Sequence, residues 1–120
     1  MASGSLVLLQ DETVSSPATS VDIGGTNWDT SYNVYKIIIS GLVIGTDSNE
    51  LRIRFLNSSN AAITSSEYDH SFKELKSDTT FGDGYGTNTD GGFLTSGSMG
   101  NATNEEFNGT LYLFNSNSSS

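Results

Sequence analysis

The one histidine of the chain, His70, stands between Asp69 and Ser71, the three residue types of a hydrolytic triad. That chemistry needs the hydroxyl, the imidazole and the carboxylate on one side of the backbone, with an oxyanion hole beside them. The local pattern runs against it. Tyr68, His70, Phe72 and Glu74 alternate with Asp69, Ser71, Lys73 and Leu75, a strand's period of two, and no second candidate base is present. No G-x-S-x-G turn accompanies it, so His70 reads as a sheet-face residue. Glu105 and Glu106 are adjacent and would face opposite ways on a strand, whereas a glycosidase holds two carboxylates roughly 5 to 10 Å apart across a cleft. No catalytic residue is assigned, and the chain is read as a non-enzyme.

Asp78, Asp83, Asn88 and Asp90 offer hard oxygen ligands that suit calcium. Their spacing fits neither the EF-hand loop nor the calcium-binding nonapeptide repeat, so they are weak Ca2+ ligand candidates, and a solvated acidic loop is the favoured account. No resident metal and no cofactor are assigned. Tyr85, flanked by Gly84 and Gly86 and without an apolar neighbour pattern, reads as an exposed ring that could stack on a sugar. Trp28, Tyr32, Tyr35 and Tyr68 read as core or subunit-contact residues. The sequons at Asn57, Asn101, Asn108 and Asn117 follow from a composition rich in Ser, Thr and Asn.

The elements that must position these residues are bounded by composition. At 120 residues the chain is read as a single domain, 1–120, and hydrophobic residues make up only 34% of it, which implies a thin core and long loops. Fourteen Asp and Glu against five Lys and Arg give a formal charge of −9, which repels phosphate backbones and anionic lipid, so neither nucleic acid nor membrane is an expected partner. Cysteine is absent, which removes disulfides and thiolate chemistry. The apolar run Leu6, Val7, Leu8 and Leu9 is too short for a signal peptide or membrane span and has no positive flank. Its hydrophobicity exceeds what an edge strand needs, and it reads as an assembly segment.

Strands are expected at residues 5–14, 20–23, 34–42, 51–55, 68–75, 93–95 and 107–114, with a short pairing segment at 61–64. The stretch 28–56 organises them: a helical turn at 28–32 with Trp28 and Tyr32 on its buried side, then two strands joined as a hairpin-like pair through the turn residues 45–49. Residues 57–60 read as a turn, 76–92 as an acidic Gly-rich surface loop, and 115–120 as a disordered tail. Ile37, Ile39, Ile53, Phe55, Leu111 and Leu113 are the expected core faces. Short strands with Gly, Ser and Asn turns, and no amphipathic helix, point to an all-β fold: an antiparallel β-sandwich, jelly-roll-like, with long polar loops.

The segments SLVLLQDETVSSPATSVDI, WDTSYNVYKIIISGLVIGTDSNELRIRF and LTSGSMGNATNEEFNGTLYLFN resemble a family of virion structural proteins of tailed bacteriophages, especially marine ones. That family has a strand ending in Q-x-x-T-x-S-S, then a D-S-T-Y-D-x-Y turn, a hydrophobic strand, a T-D turn and an alternating strand. Asp29-Thr30-Ser31-Tyr32-Asn33-Val34-Tyr35 and Thr46-Asp47 stand at those positions, and Gly100-Asn101-Ala102-Thr103-Asn104-Glu105 is similar to the family's G-N-x-x-x-E turn. The likeness covers most of the chain outside 76–92. It implies a virion location as tail fibre, tail appendage or capsid-surface (decoration) component. It also implies a homo-oligomer, a trimer among the options, that contacts other virion proteins and has no catalytic residues. Relatives of this kind continue with further strands after the one matched by 111–114. The chain is therefore expected to be either the N-terminal part of a longer domain or a sheet completed by a neighbour's strands. A carbohydrate-binding module that recognises a host surface glycan through Tyr85 is the alternative.

Overall fold

Period-two alternation forms the strands, and pairing then decides which survive. The computed structural model describes residues 6–28 and 32–114, and their architecture is all-β, with one 3-10 turn at Gly25–Asn27 as the helical element among them. The strands are β1 (Val34–Leu42), β2 (Arg52–Ile53), β3 (Tyr68–Leu75), β4 (Phe81–Thr89), β5 (Gly92–Phe93) and β6 (Phe107–Phe114). They pair as three two-stranded sheets, β1 with β6, β2 with β5 and β3 with β4. The pairs are nested in sequence, each enclosing the next. The β2–β5 and β3–β4 pairs are antiparallel.

The chain divides into two compact units, Met1–Ile38 with Gly109–Ser120, and Ile39–Asn108. In the first, Tyr35 is the one buried large hydrophobic side chain among the described residues, at 7% exposure. Trp28 stacks on it with ring centroids 4.0 Å apart and planes within 10°, and Tyr32 meets it edge-on at 6.2 Å. Trp28 and Tyr32 thus converge on a third ring, and Trp28 itself is extended; Asp29, Thr30 and Ser31 of the expected helical turn lie outside the described residues. Gly24, at φ 104°, lies against the Trp28 ring, and a Cβ there would come within 3.2 Å of it.

In the second unit the β3–β4 ribbon is nested inside the β2–β5 pair. One face of the ribbon is built from β3 side chains and β4 glycines: Glu74, Phe72 and His70 stand opposite Gly82, Gly84 and Gly86. A Cβ on Gly84 would lie 2.6 Å from Phe72 Cζ, and one on Gly86 2.5 Å from His70 Cε1. The β3 rings therefore occupy the space that β4 side chains would have taken. Tyr68 accepts the Phe55 N–H at 2.8 Å and donates to the Ile63 carbonyl at 3.1 Å, while the Ile63 N–H donates to the Phe55 carbonyl at 2.9 Å. Its phenol stands in for the second ladder bond of that pair.

Several expectations are corrected. Residues 34–42 and 51–55 do not form a hairpin: β1 pairs with β6, and β2 turns to β5, where Arg52 and Arg54 find Asp90. The expected strands at 5–14 and 20–23 are not strands within the described residues. Polar Gln10 interrupts the apolar run, and its Oε1 accepts the Gly24 N–H at 2.8 Å. The expected loop 76–92 contains β4, whose inward face is glycine and so carries no apolar signal. Phe55, expected in the core, is 44% exposed and covered on one face by Tyr68, with centroids 6.3 Å apart. Ile37, Ile39, Ile53, Leu111 and Leu113 are half-buried. The expected tail 115–120 lies outside the described residues.

Gly84→Ala should lower stability by about 1–3 kcal/mol through overpacking against Phe72. Combining it with Phe72→Ala should cost less than the two changes summed. Urea denaturation of the four variants measures both, and strict additivity would separate the ring from the glycine.

Candidate functional site

The other face of the β3–β4 ribbon is open. Ser71 stands opposite Tyr85, Lys73 opposite Asp83 and Leu75 opposite Phe81, and alternation places all six side chains on the side away from the glycines. Tyr85 is 81% exposed, Phe81 77% and Leu75 82%. Between the aromatic rings Lys73 Nζ lies 3.6 Å from Asp83 Oδ2; with both groups in water, such a pair contributes little to stability. An open groove of about 370 Å3 runs along Ser71, Phe72, Lys73, Asp83, Gly84 and Tyr85. The surface offers flat rings beside one cation, one carboxylate and one hydroxyl, a set suited to stacking and hydrogen bonding. It presents no nucleophile held by a base.

Tyr85 is thus on a strand and outward-facing, where the sequence had put it on a loop. Leu75 and Phe81 were not singled out from sequence, although positions 71, 73, 75 and 81, 83, 85 share one phase about the turn between them. Reading that phase required knowing that the glycines were a strand face.

The oxygen ligands suggested for calcium are dispersed. Asp78 lies in the β3–β4 turn, where its Oδ1 accepts the Thr80 hydroxyl at 2.6 Å and the Thr80 N–H at 3.0 Å. Asp83 faces Lys73 on the open face. Asn88, at φ 55°, donates its backbone N–H to Asp69 Oδ1 at 2.9 Å. Asp90 is committed to two guanidinium groups, Arg52 and Arg54, each at 2.7 Å, and its carbonyl accepts Arg54 Nε at 2.6 Å. Asp83 and Asp90 are seven residues apart on or next to β4, roughly 23 Å for extended chain, so one ion cannot bind the set. Among the described residues no cluster of three His, Asp or Glu is placed to hold a metal.

His70 packs against Phe93, with centroids 4.7 Å apart, and its buried Nδ1 has no hydrogen-bond partner among the described residues. Asp69 and Ser71 project to the opposite face. Glu105 closes a turn: its carboxylate accepts the Ala102 N–H at 2.8 Å, its own N–H donates to the Ala102 carbonyl at 3.0 Å, and a Cβ on Gly100 would collide with it. The G-N-x-x-x-E spacing is thereby a turn device. Leu6, Val7 and Leu8 are exposed and outside any strand, and Leu9 is half-buried. No helix among the described residues is long and apolar enough to cross a membrane. Comparison with known proteins gives no match to a family model, a curated protein or a solved structure.

The Thr80 hydroxyl, and then the Thr80 N–H, hold the Asp78 pKa below its ordinary value of 3.8. A depressed carboxyl stabilises the fold above its unfolded pKa, and that contribution is lost as pH falls through the lowered folded value. A carbon-detected NMR titration should place the Asp78 midpoint below 3.8, and Thr80→Val should raise it. An unmoved midpoint would remove the turn from the account.

Proposed function

We propose that the chain is a non-enzymatic structural component of a bacteriophage virion, a tail fibre, appendage or capsid-surface protein, that assembles as a symmetric homo-oligomer through its β-sheets. The observation that carries assembly is the distribution of apolar side chains. Tyr35 alone among the described large hydrophobics is buried, while Ile38 at 67%, Phe114 at 68% and Leu8 at 82% stand in solvent on one copy. So small a buried core leaves apolar surface that a second copy would cover, and contiguous surface of this kind is typical of contact sites. The virion assignment rests on the resemblance of the turn-and-strand motifs around Gln10 to Ser16, Asp29 to Tyr35 and Gly100 to Glu105.

The assembled fold in this reading is an antiparallel β-sandwich of jelly-roll type. What supports it is the nested pairing of β1 with β6, β2 with β5 and β3 with β4, the order produced when one long two-stranded ribbon is rolled up. Isolated two-stranded sheets are marginal in water, so strands from a neighbouring copy would complete the two layers. Leu6, Val7, Leu8 and Leu9 are the segment that docks on that neighbour.

Light scattering on the purified chain tests the proposal: a closed oligomer of defined mass is expected, and a clean monomer at all accessible concentrations would overturn it. Removal of residues 1–9 should impair assembly more than solubility, and normal association of the truncated chain would defeat the docking role.

A second reading, a host-glycan-binding module, is favoured by the exposed Tyr85 ring beside Ser71 and the Lys73–Asp83 pair. Tyr85→Ala should then weaken binding on a glycan array while changing stability by no more than about 0.5 kcal/mol. Unchanged glycan binding by the variant would sink this reading.

A further inference from the structure

The β3–β4 turn fixes which backbone groups of β4 are left without a strand. The Lys76 N–H donates to the Thr80 carbonyl at 3.2 Å, and the next pair outward in the register is Leu75 with Phe81. Hydrogen-bonded and non-hydrogen-bonded pairs alternate along an antiparallel ladder. The pairs Glu74–Gly82, Phe72–Gly84 and His70–Gly86 are therefore the bonded ones, and Phe81, Asp83 and Tyr85 point their N–H and C=O groups to the other side. No described strand lies there, since the sheet contains β3 and β4 only. The exposed edge of β4 has no proline and no lysine; its one charge is Asp83, and its bulge, between Gly86 and Thr89, lies beyond the outward residues Phe81, Asp83 and Tyr85.

We infer that this edge pairs with the same edge of a second copy, β4 antiparallel to β4, about a two-fold axis at Asp83. The inference rests on the homo-oligomer reading above and names its contact. The register follows from the three outward residues. Centring on Asp83 sets Phe81 opposite Tyr85 of the second copy and Tyr85 opposite Phe81, so the outward donors and acceptors of all six residues are used. Shifting by one pair leaves some of them unpaired. The two ribbons become a four-stranded sheet, and the open aromatic faces join into one surface.

Charge follows the same symmetry. Asp83 meets Asp83 of the second copy at the axis, an opposition that weakens cross-strand pairing. Lys73, 3.6 Å from Asp83 within its own ribbon, flanks the two carboxylates from both sides. The contact therefore carries its own compensating cations, and the residual repulsion sets how tightly the copies hold. Such a two-fold contact serves a dimer or one axis of a larger closed assembly.

A chain without cysteine gives a clean test. Directly opposed residues of a hydrogen-bonded pair have Cα atoms about 5.5 Å apart, inside the range of about 4.4–6.8 Å that a disulfide spans. Asp83→Cys should form a disulfide-linked dimer under mild oxidation, and Ser71→Cys, on the same face but one strand further from the axis, should remain largely unlinked. Asp83→Pro removes an outward N–H, along with the carboxylate beside Lys73, but no ladder bond to β3, and should abolish the contact while circular dichroism of the ribbon is retained. Asp83→Asn should shift association to lower protein concentration. If light scattering finds the oligomer but Asp83→Cys links no better than Ser71→Cys, this edge contact is wrong and the assembly reading stands. If the unmodified chain is a monomer and Asp83→Cys does not link, both fall.

Discussion

The β3 side chains lie across β4 glycines, and the second unit depends on that exchange of space. Phe72 over Gly84 and His70 over Gly86 let two strands form a face in which one strand contributes volume and the other contributes access. Register is then set by shape: sliding the ribbon by one residue would drive the rings into the side chains of Asp83 or Tyr85. The same fixed phase turns Phe81, Asp83 and Tyr85 outward in side chain and in backbone. The open face and the open edge are consequences of how the covered face is packed.

A second constraint holds the ends of the ribbon. Asp90, just beyond β4, receives Arg52 and Arg54 from the β2 segment, and Arg52 also lies 4.4 Å over the Phe93 ring. Alternation places both arginines on one face of their strand, so a single carboxylate can bridge them. Gly91 and Gly92 let the backbone close up against Arg54 and Ile53 at 3.2 and 3.1 Å from where a Cβ would stand. The β2–β5 ladder is two residue pairs long, and these side-chain contacts join the same two segments.

What was legible in sequence follows from these constraints. Val34–Leu42, dense in β-branched residues, Tyr68–Leu75, with its alternation, and Phe107–Phe114 are each a strand with the expected bounds. β4 was hidden because half of its positions are glycine; its apolar partners are written in β3, a segment earlier. Pairing was hidden for a different reason. Nearness in sequence favours a hairpin between residues 34–42 and 51–55, but the acid that satisfies both arginines lies at Asp90. The candidate site shared both difficulties: Tyr85 was noticed for its glycine neighbours, while Leu75 and Phe81 acquire meaning only once the strand between them and Tyr85 is known. Leu6, Val7 and Leu8 form an exposed apolar run, and the strand expected there has no partner strand among the described residues.

Nesting also orders events in time. The β3–β4 ribbon closes a turn of a few residues, whereas Arg52 and Asp90 must meet across 38 positions of chain, and closing longer loops costs more entropy before any contact repays it. The ribbon is expected to form first and to carry the ends of its enclosing segments toward each other, so that β2 and β5 meet as neighbours of a finished structure. Amides of β3 and β4 protected before those of β2 in pulse-labelled hydrogen exchange would bear the sequence out; simultaneous protection would not. A newly made chain would then present its aromatic edge to other copies before the outer pairs are complete, which makes the rate of outer closure, relative to encounter between chains, a determinant of ordered assembly against aggregation.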